Sequence, residues 1–150
     1  MSIQTQKKNM KTIYSLISMD LGYIHGERES GPNGAKKVFH TKSAAFLRAL
    51  GNDLGFKEFK VTNNHGGIAV SGEITLMGMW GEDNGLYFQI NQPIQPFGSF
   101  LYRHIKHMKD YAGSHNQWLD CYVFEDRDYE KLLKELLKLR TISEVERRAA

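Results

Sequence analysis

The sequence predicts an α+β fold: an antiparallel meander of three strands plus a fourth strand, packed with three to four helices. Three observations carry that expectation. Residues 68–91 alternate apolar and polar side chains around turn-forming residues, the period of half-buried strands. Apolar stripes at helical spacing lie on either side of this run. No repeat, low-complexity block or Pro/Gly/Ser-rich linker divides the 150 residues, so one domain over 1–150 is expected, with 1–11 a polar basic segment and 141–150 a charged tail.

Met10, Ile13, Tyr14, Ile17 and Leu21 recur at helical spacing before Gly22. A strand competes for the same stretch, because Ile13, Ile17, Met19 and Leu21 all fall on odd positions. Gly26–Ala35 reads as a loop, rich in glycine and charge. A helix is expected to open at Thr41, whose hydroxyl suits an N-cap. Phe46, Leu47, Leu50 and Leu54 form its inward stripe, and Gly51 or Gly55 ends it.

The meander follows. Phe56–Thr62 is its first strand, and Asn63–Gly67 a turn whose residues tolerate positive φ. Ile74, Leu76 and Trp80 alternate with Glu73, Thr75 and Met77, while Gly78 suggests a bulge or a close backbone approach. Glu82–Gly85 is a hairpin turn. Beyond it Leu86, Phe88 and Ile90 continue the core face, and Tyr87, Gln89 and Asn91 point outward.

Pro93 and Pro96 end the sheet segment, and Ser99 is expected to cap a helix running to about Ala112. Leu101, Ile105, Met108 and Ala112 would be its core face. Trp118–Phe124 is apolar on both sides and reads as the fourth strand. Asp126 or Asp128 starts the last helix, with Tyr129, Leu132, Leu133, Leu136 and Leu137 inward.

Charge is unevenly distributed, although the net value is only +3. Residues 1–60 carry ten Lys/Arg against five Asp/Glu, residues 61–102 no Lys or Arg against three acids, and residues 103–150 ten against nine. A helix over 99–112 would gather Arg103, Lys106, His107 and Lys109, with Lys36, Lys37 and Lys42 adding to the patch. Such a basic face could follow a phosphate backbone, where Lys and Arg displace counterions. A solvated basic face is the plainer reading.

The outer face of the meander is the second candidate. Met77, Met79, Tyr87 and Gln89, with Trp80 nearby, are uncharged, and Met and Tyr are enriched where proteins meet. Cover by helices of the same chain is the competing reading.

Catalysis has no motif behind it. Cys121 stands in an apolar run without the electropositive setting a nucleophile needs, and as the one cysteine it forms no intrachain disulfide. His104 and His107 are three apart and could share a metal with Asp110, but the surrounding cations would repel one. His25, His40, His65 and His115 offer pairings for acid–base chemistry that sequence does not select. Gly31–Lys37 superficially resembles a phosphate loop and fails its spacing.

No catalytic residue, metal or cofactor is therefore expected. The expected role is non-catalytic binding of a protein, or self-association, through the neutral sheet face. Alternatives are nucleic-acid binding by the basic helix, or a metal-independent hydrolase or nuclease built on a histidine pair. Small motif-poor domains of this kind include accessory and inhibitor proteins of phages and plasmids, an association rather than a derivation. No apolar run of membrane-spanning length and no export signal is present, so a cytoplasmic location without membrane contact is expected.

Overall fold

A computed structural model describes residues 2–18, 34–64, 72–91, 99–111 and 116–149. The elements run α1 (Ile3–Ile17), α2 (Ala35–Asp53), β1 (Glu58–Asn64), β2 (Glu73–Gly81), β3 (Asn84–Asn91), β4 (Ser99–Ile105), β5 (Gln117–Asp120), α3 (Tyr122–Glu125) and α4 (Tyr129–Ala149). The strands form one sheet in the order β1-β2-β3-β4-β5, every neighbouring pair antiparallel. This is the predicted α+β meander, with five strands rather than four.

Alternation in β2 and β3 decides the architecture. Ile74, Leu76, Leu86, Phe88 and Ile90 are all fully buried on one face, here called the inner face. They share a single core with Met10, Ile13, Phe39, Phe46, Leu47, Leu50, Phe124, Leu132 and Leu136 from the helices. All four helices contribute to that core. Among the described residues, none covers the opposite, outer face.

Two glycines are needed for this packing. A Cβ at Gly78 would lie 2.3 Å from the Phe56 ring, so β2 carries glycine where that ring crosses it. The close approach expected there is observed. Gly55 has φ +75° and follows Leu54, the C-cap of α2, so it is the helix-stopping glycine. Gly51 lies within the helix instead, with Phe59 against it.

Several predicted boundaries are corrected. α1 begins at Ile3, capped by the Ser2 side chain, so 1–11 is mostly helix; buried Gln6, Asn9 and Met10 give it an inward face. α2 starts at Ala35 with Gly34 as N-cap, and Thr41 is an exposed interior residue. Residues 99–105 are a strand, not a helix. Phe100 and Tyr102 face the core while Arg103 and Ile105 are buried on the other side, so both faces are covered and apolar spacing misleads.

The expected strand over 118–124 ends at Asp120, whose carboxylate accepts the Tyr122 N–H at 2.9 Å and turns the chain into α3. Asp128 does cap the last helix, accepting from the Lys131 N–H at 3.1 Å. That helix continues to Ala149, through the residues expected to form a tail. Gly22, Ile68 and Val70 lie outside the described residues.

A polar clamp ties the helices together beneath the core. The Tyr129 hydroxyl on α4 donates to Asp53 Oδ2 at 2.5 Å at the end of α2, and Gln6 Nε2 on α1 donates to the Phe46 carbonyl at 3.2 Å. Burial raises the Tyr129 pKa strongly, and the Asp53 carboxylate pushes it the same way. The folded value therefore exceeds the unfolded one of about 10. Below that pH both states hold the proton; above it the unfolded chain releases its proton first, and stability falls as pH rises. Tyr129→Phe is expected to cost about 1–2 kcal/mol at neutral pH. It should also flatten the loss of stability above about pH 10. Urea midpoints collected from neutral to alkaline pH check both, and an unaltered pH slope would refute the assignment.

Candidate functional site: the outer sheet face

Strand register places the outer face in rows across the sheet. One row runs Lys60, Met77, Tyr87, Arg103; the next runs Thr62, Thr75, Gln89, Leu101, Trp118. A third joins Glu58, Met79, Gly85 and Ile105. The face expected from β2 and β3 is thus present, and the strands beside them contribute residues the sequence reading missed: Lys60, Leu101, Ile105 and Trp118.

Part of this face is closed. Met77, Met79 and Ile105 are buried in a small second core, packed by Tyr87 and by Met108 from the segment after β4. That segment, Lys106–Tyr111, folds back as a strap. Arg103 Nη2 donates to the Asp110 carbonyl at 2.8 Å, and the Asp110 carboxylate accepts the Lys106 N–H at 3.0 Å. Lys60 Nζ on the far edge strand donates to the Tyr111 hydroxyl at 3.3 Å. The strap therefore reaches from β4 to β1. The next row is more open, with Trp118 48% exposed and Leu101 and Gln89 half-buried.

The basic group separates under this geometry. Arg103 is 4% exposed, with its guanidinium 4.3 Å from the Tyr87 ring centroid. Lys106, His107 and Lys109 are exposed on the strap. Lys36 is buried, while Lys37 and Lys42 are exposed on α2, across the sheet from Arg103. No single basic helix unites the seven positions. Trp80 is also corrected: it faces the helices and donates from Nε1 to the Leu54 carbonyl at 2.8 Å.

Electrostatics on the outer face are mixed. Burial raises the Tyr87 pKa, Glu73 adds to the rise and Arg103 opposes it. Lys57, Lys60, Arg103, Lys106 and Lys109 on and around the face are offset by Glu58, Glu73, Glu82, Asp83, Asp110 and Asp120. The cation-free centre of the sequence is flanked in space by Lys60 and Arg103, which only the strand order brings there. Between the β2–β3 turn and the strap lies a cleft of about 670 Å³, lined by Lys57, Glu58, Met79, Gly81, Glu82, Asp83, Lys106, His107 and Met108.

The described histidines do not converge. His40 on α2 pairs through Nδ1 with the Asn63 side chain, and His104 Nε2 lies 3.3 Å from Asn84 Oδ1. His107 Nδ1 accepts the Lys109 N–H at 3.2 Å, which leaves the proton of its neutral ring on Nε2. His25, His65 and His115 lie outside the described residues. Cys121 is buried, and burial raises its thiol pKa, the opposite of what a nucleophile needs.

Because Arg103 is buried and its neighbours are not, charge reversal should separate them. Arg103→Glu is expected to cost about 3–5 kcal/mol, from a buried charge facing a carbonyl. Lys106→Glu and Lys109→Glu should each stay within about 0.5 kcal/mol. Urea unfolding of the three variants checks this, and equal costs would refute the placement of Arg103. Comparisons with protein-family models, with curated proteins and with solved structures find no match.

Proposed function

We propose that the chain is a non-catalytic binding module that meets a protein partner through its outer sheet face. One observation carries this reading: among the described residues the helices pack on one side of the sheet only, and the strap covers only part of the other. Beside the strap, Trp118 and Leu101 form an apolar pair next to Gln89. Tryptophan, tyrosine and arginine are the residues that dominate protein interfaces when ringed by less critical contacts. Trp118, Tyr87, Tyr111 and Arg103 all belong to this face.

The charge balance favours a protein over a nucleic acid. Phosphate binding draws its affinity from a net excess of Lys and Arg along the contact. Here acids are interspersed with the cations, and the lysines on α2 lie behind the sheet. A face of mixed charge with aromatic anchors suits a protein surface of complementary pattern. Among the described residues, no helix is long and apolar enough to cross a membrane.

Trp118 is the position to test, since half its surface is already in water and its replacement leaves the core intact. Trp118→Arg is expected to weaken capture of the partner by about tenfold or more, a loss typical of interface anchors. Its urea midpoint should match that of the parent chain. Affinity capture of the tagged protein from cells that naturally make it, with quantitative mass spectrometry, gives the readout. Undiminished capture by Trp118→Arg would count against the outer face.

A further inference from the structure

Arg103 is buried, and no described residue gives it a countercharge. Taking a cation out of water is costly unless an anion and several hydrogen bonds replace the solvent. Among the described residues one of its five guanidinium donors finds an acceptor, the neutral carbonyl of Asp110. The Tyr87 ring beneath supplies a cation–π contact. Among the described residues no carboxylate lies within ion-pairing distance of Arg103. The nearest acid in sequence, Asp110, turns its carboxylate toward the Lys106 N–H instead. A planar fork suited to a carboxylate is thus occupied by a single carbonyl oxygen, where a carboxylate would accept two parallel N–H bonds and supply the opposite charge.

Among the described residues, Met108 is the one strap side chain packed into the small second core. The strap meets the sheet through the Arg103 bond, the exposed Lys60–Tyr111 contact and the half-buried Met108. Tyr111 is 63% exposed. Displacing the strap would leave Arg103 and Lys60 at the two ends of one row, with Met77 and Tyr87 between them. Lys60 and Arg103 then stand among Glu58, Glu73 and Asp120 of the same strands, which keep the face near neutrality. Such a pattern suits a few carboxylates and disfavours a long polyanion.

We propose that Arg103, stacked on Tyr87, is the seat for a carboxylate from a short acidic segment of the protein partner. The Lys106–Tyr111 strap fills that seat until the segment displaces it. This inference rests on the outer face being the docking surface. It adds the chemistry of the partner and a built-in competitor.

The test uses the full chain and three fluorescent probes: hexaglutamate, hexaglutamine and a six-nucleotide oligothymidine, followed by anisotropy at low salt. Hexaglutamate is expected to bind and hexaglutamine not to. Arg103→Lys keeps the charge but loses the fork, and should weaken hexaglutamate by about tenfold. Tyr111→Ala, at an exposed site that folding does not need, should strengthen it by about threefold by raising the fraction of molecules with the strap displaced. That second variant keeps the test decisive if Arg103→Lys is unstable.

Equal affinity in the parent chain and Arg103→Lys would overturn the seat, and no gain in Tyr111→Ala would overturn the competition. Oligothymidine binding as tightly as hexaglutamate would replace the carboxylate by a phosphate and overturn the assignment. Absence of hexaglutamate binding, with partner capture still lost in Trp118→Arg, would sink this inference alone. Capture unaffected by Trp118→Arg would sink the docking reading beneath it.

Discussion

The inner face of β2 and β3 is the constraint from which the rest of the structure follows. Ile74, Leu76, Leu86, Phe88 and Ile90 lose all contact with water there. Burying five such side chains removes a large apolar area at roughly 25 cal/mol per Å², so this surface must be covered. Phe46, Leu47 and Leu50 of α2 cover it with Leu132 and Leu136 of α4, while Met10 and Ile13 dock α1 onto the same core. Trp80, Gly78 and Phe56 fix where α2 hands over to the sheet: the indole bonds the Leu54 carbonyl, and the Phe56 ring lies where any Cβ at position 78 would be. The Tyr129–Asp53 bond then joins the ends of two helices on that side.

With the described helices committed to one face, the other is closed in part by different means. Its small core of Met77, Met79 and Ile105 is shielded by Tyr87 and by Met108 of the strap. That shield is fastened by polar contacts rather than by a helix, and one of them depends on a buried arginine. Local stability follows local contact density, so the face that carries few apolar contacts is also the one able to rearrange. Aromatic residues, mixed charge and a strap fastened by polar contacts occur together here, and the proposed docking role draws on that combination rather than on any one residue.

Much of this was legible in the residues. Period-2 alternation identified β2 and β3 and assigned Tyr87 and Gln89 to the outer face. Asp128 announced its helix, and Gly78 its close contact. β4 was not legible in the same way. A strand covered on both faces loses the apolar–polar contrast that reveals its period, and Leu101, Ile105 and Met108 happen to fit a helix as well. The usable signal was composition: Phe100, Tyr102 and Ile105 are strand-favouring residues, and Arg103 sits where a helix reading would have left it wet.

Once 99–105 is a strand, Arg103 is buried in the sheet while Lys106 stays in water on the strap, and the basic helix dissolves. Trp80 was misassigned because its sequence neighbourhood, not its parity, was used. The row joining Lys60 to Arg103 was beyond reach for another reason: these residues lie on strands separated by two others, and only the sheet order places them in one row. Residues close in sequence separated in space, and residues far apart in sequence met.

The central claim is that the inner face carries the fold while the outer face is closed by a strap that opens locally. Hydrogen exchange of the native chain tests it most directly. Amides of β2 and β3 should exchange only through global unfolding, with strap amides at Lys106 and Asp110 exchanging through openings that cost at least about 2 kcal/mol less. Strap amides as protected as those of β3 would show that both faces belong to one cooperative core, and would contradict the account.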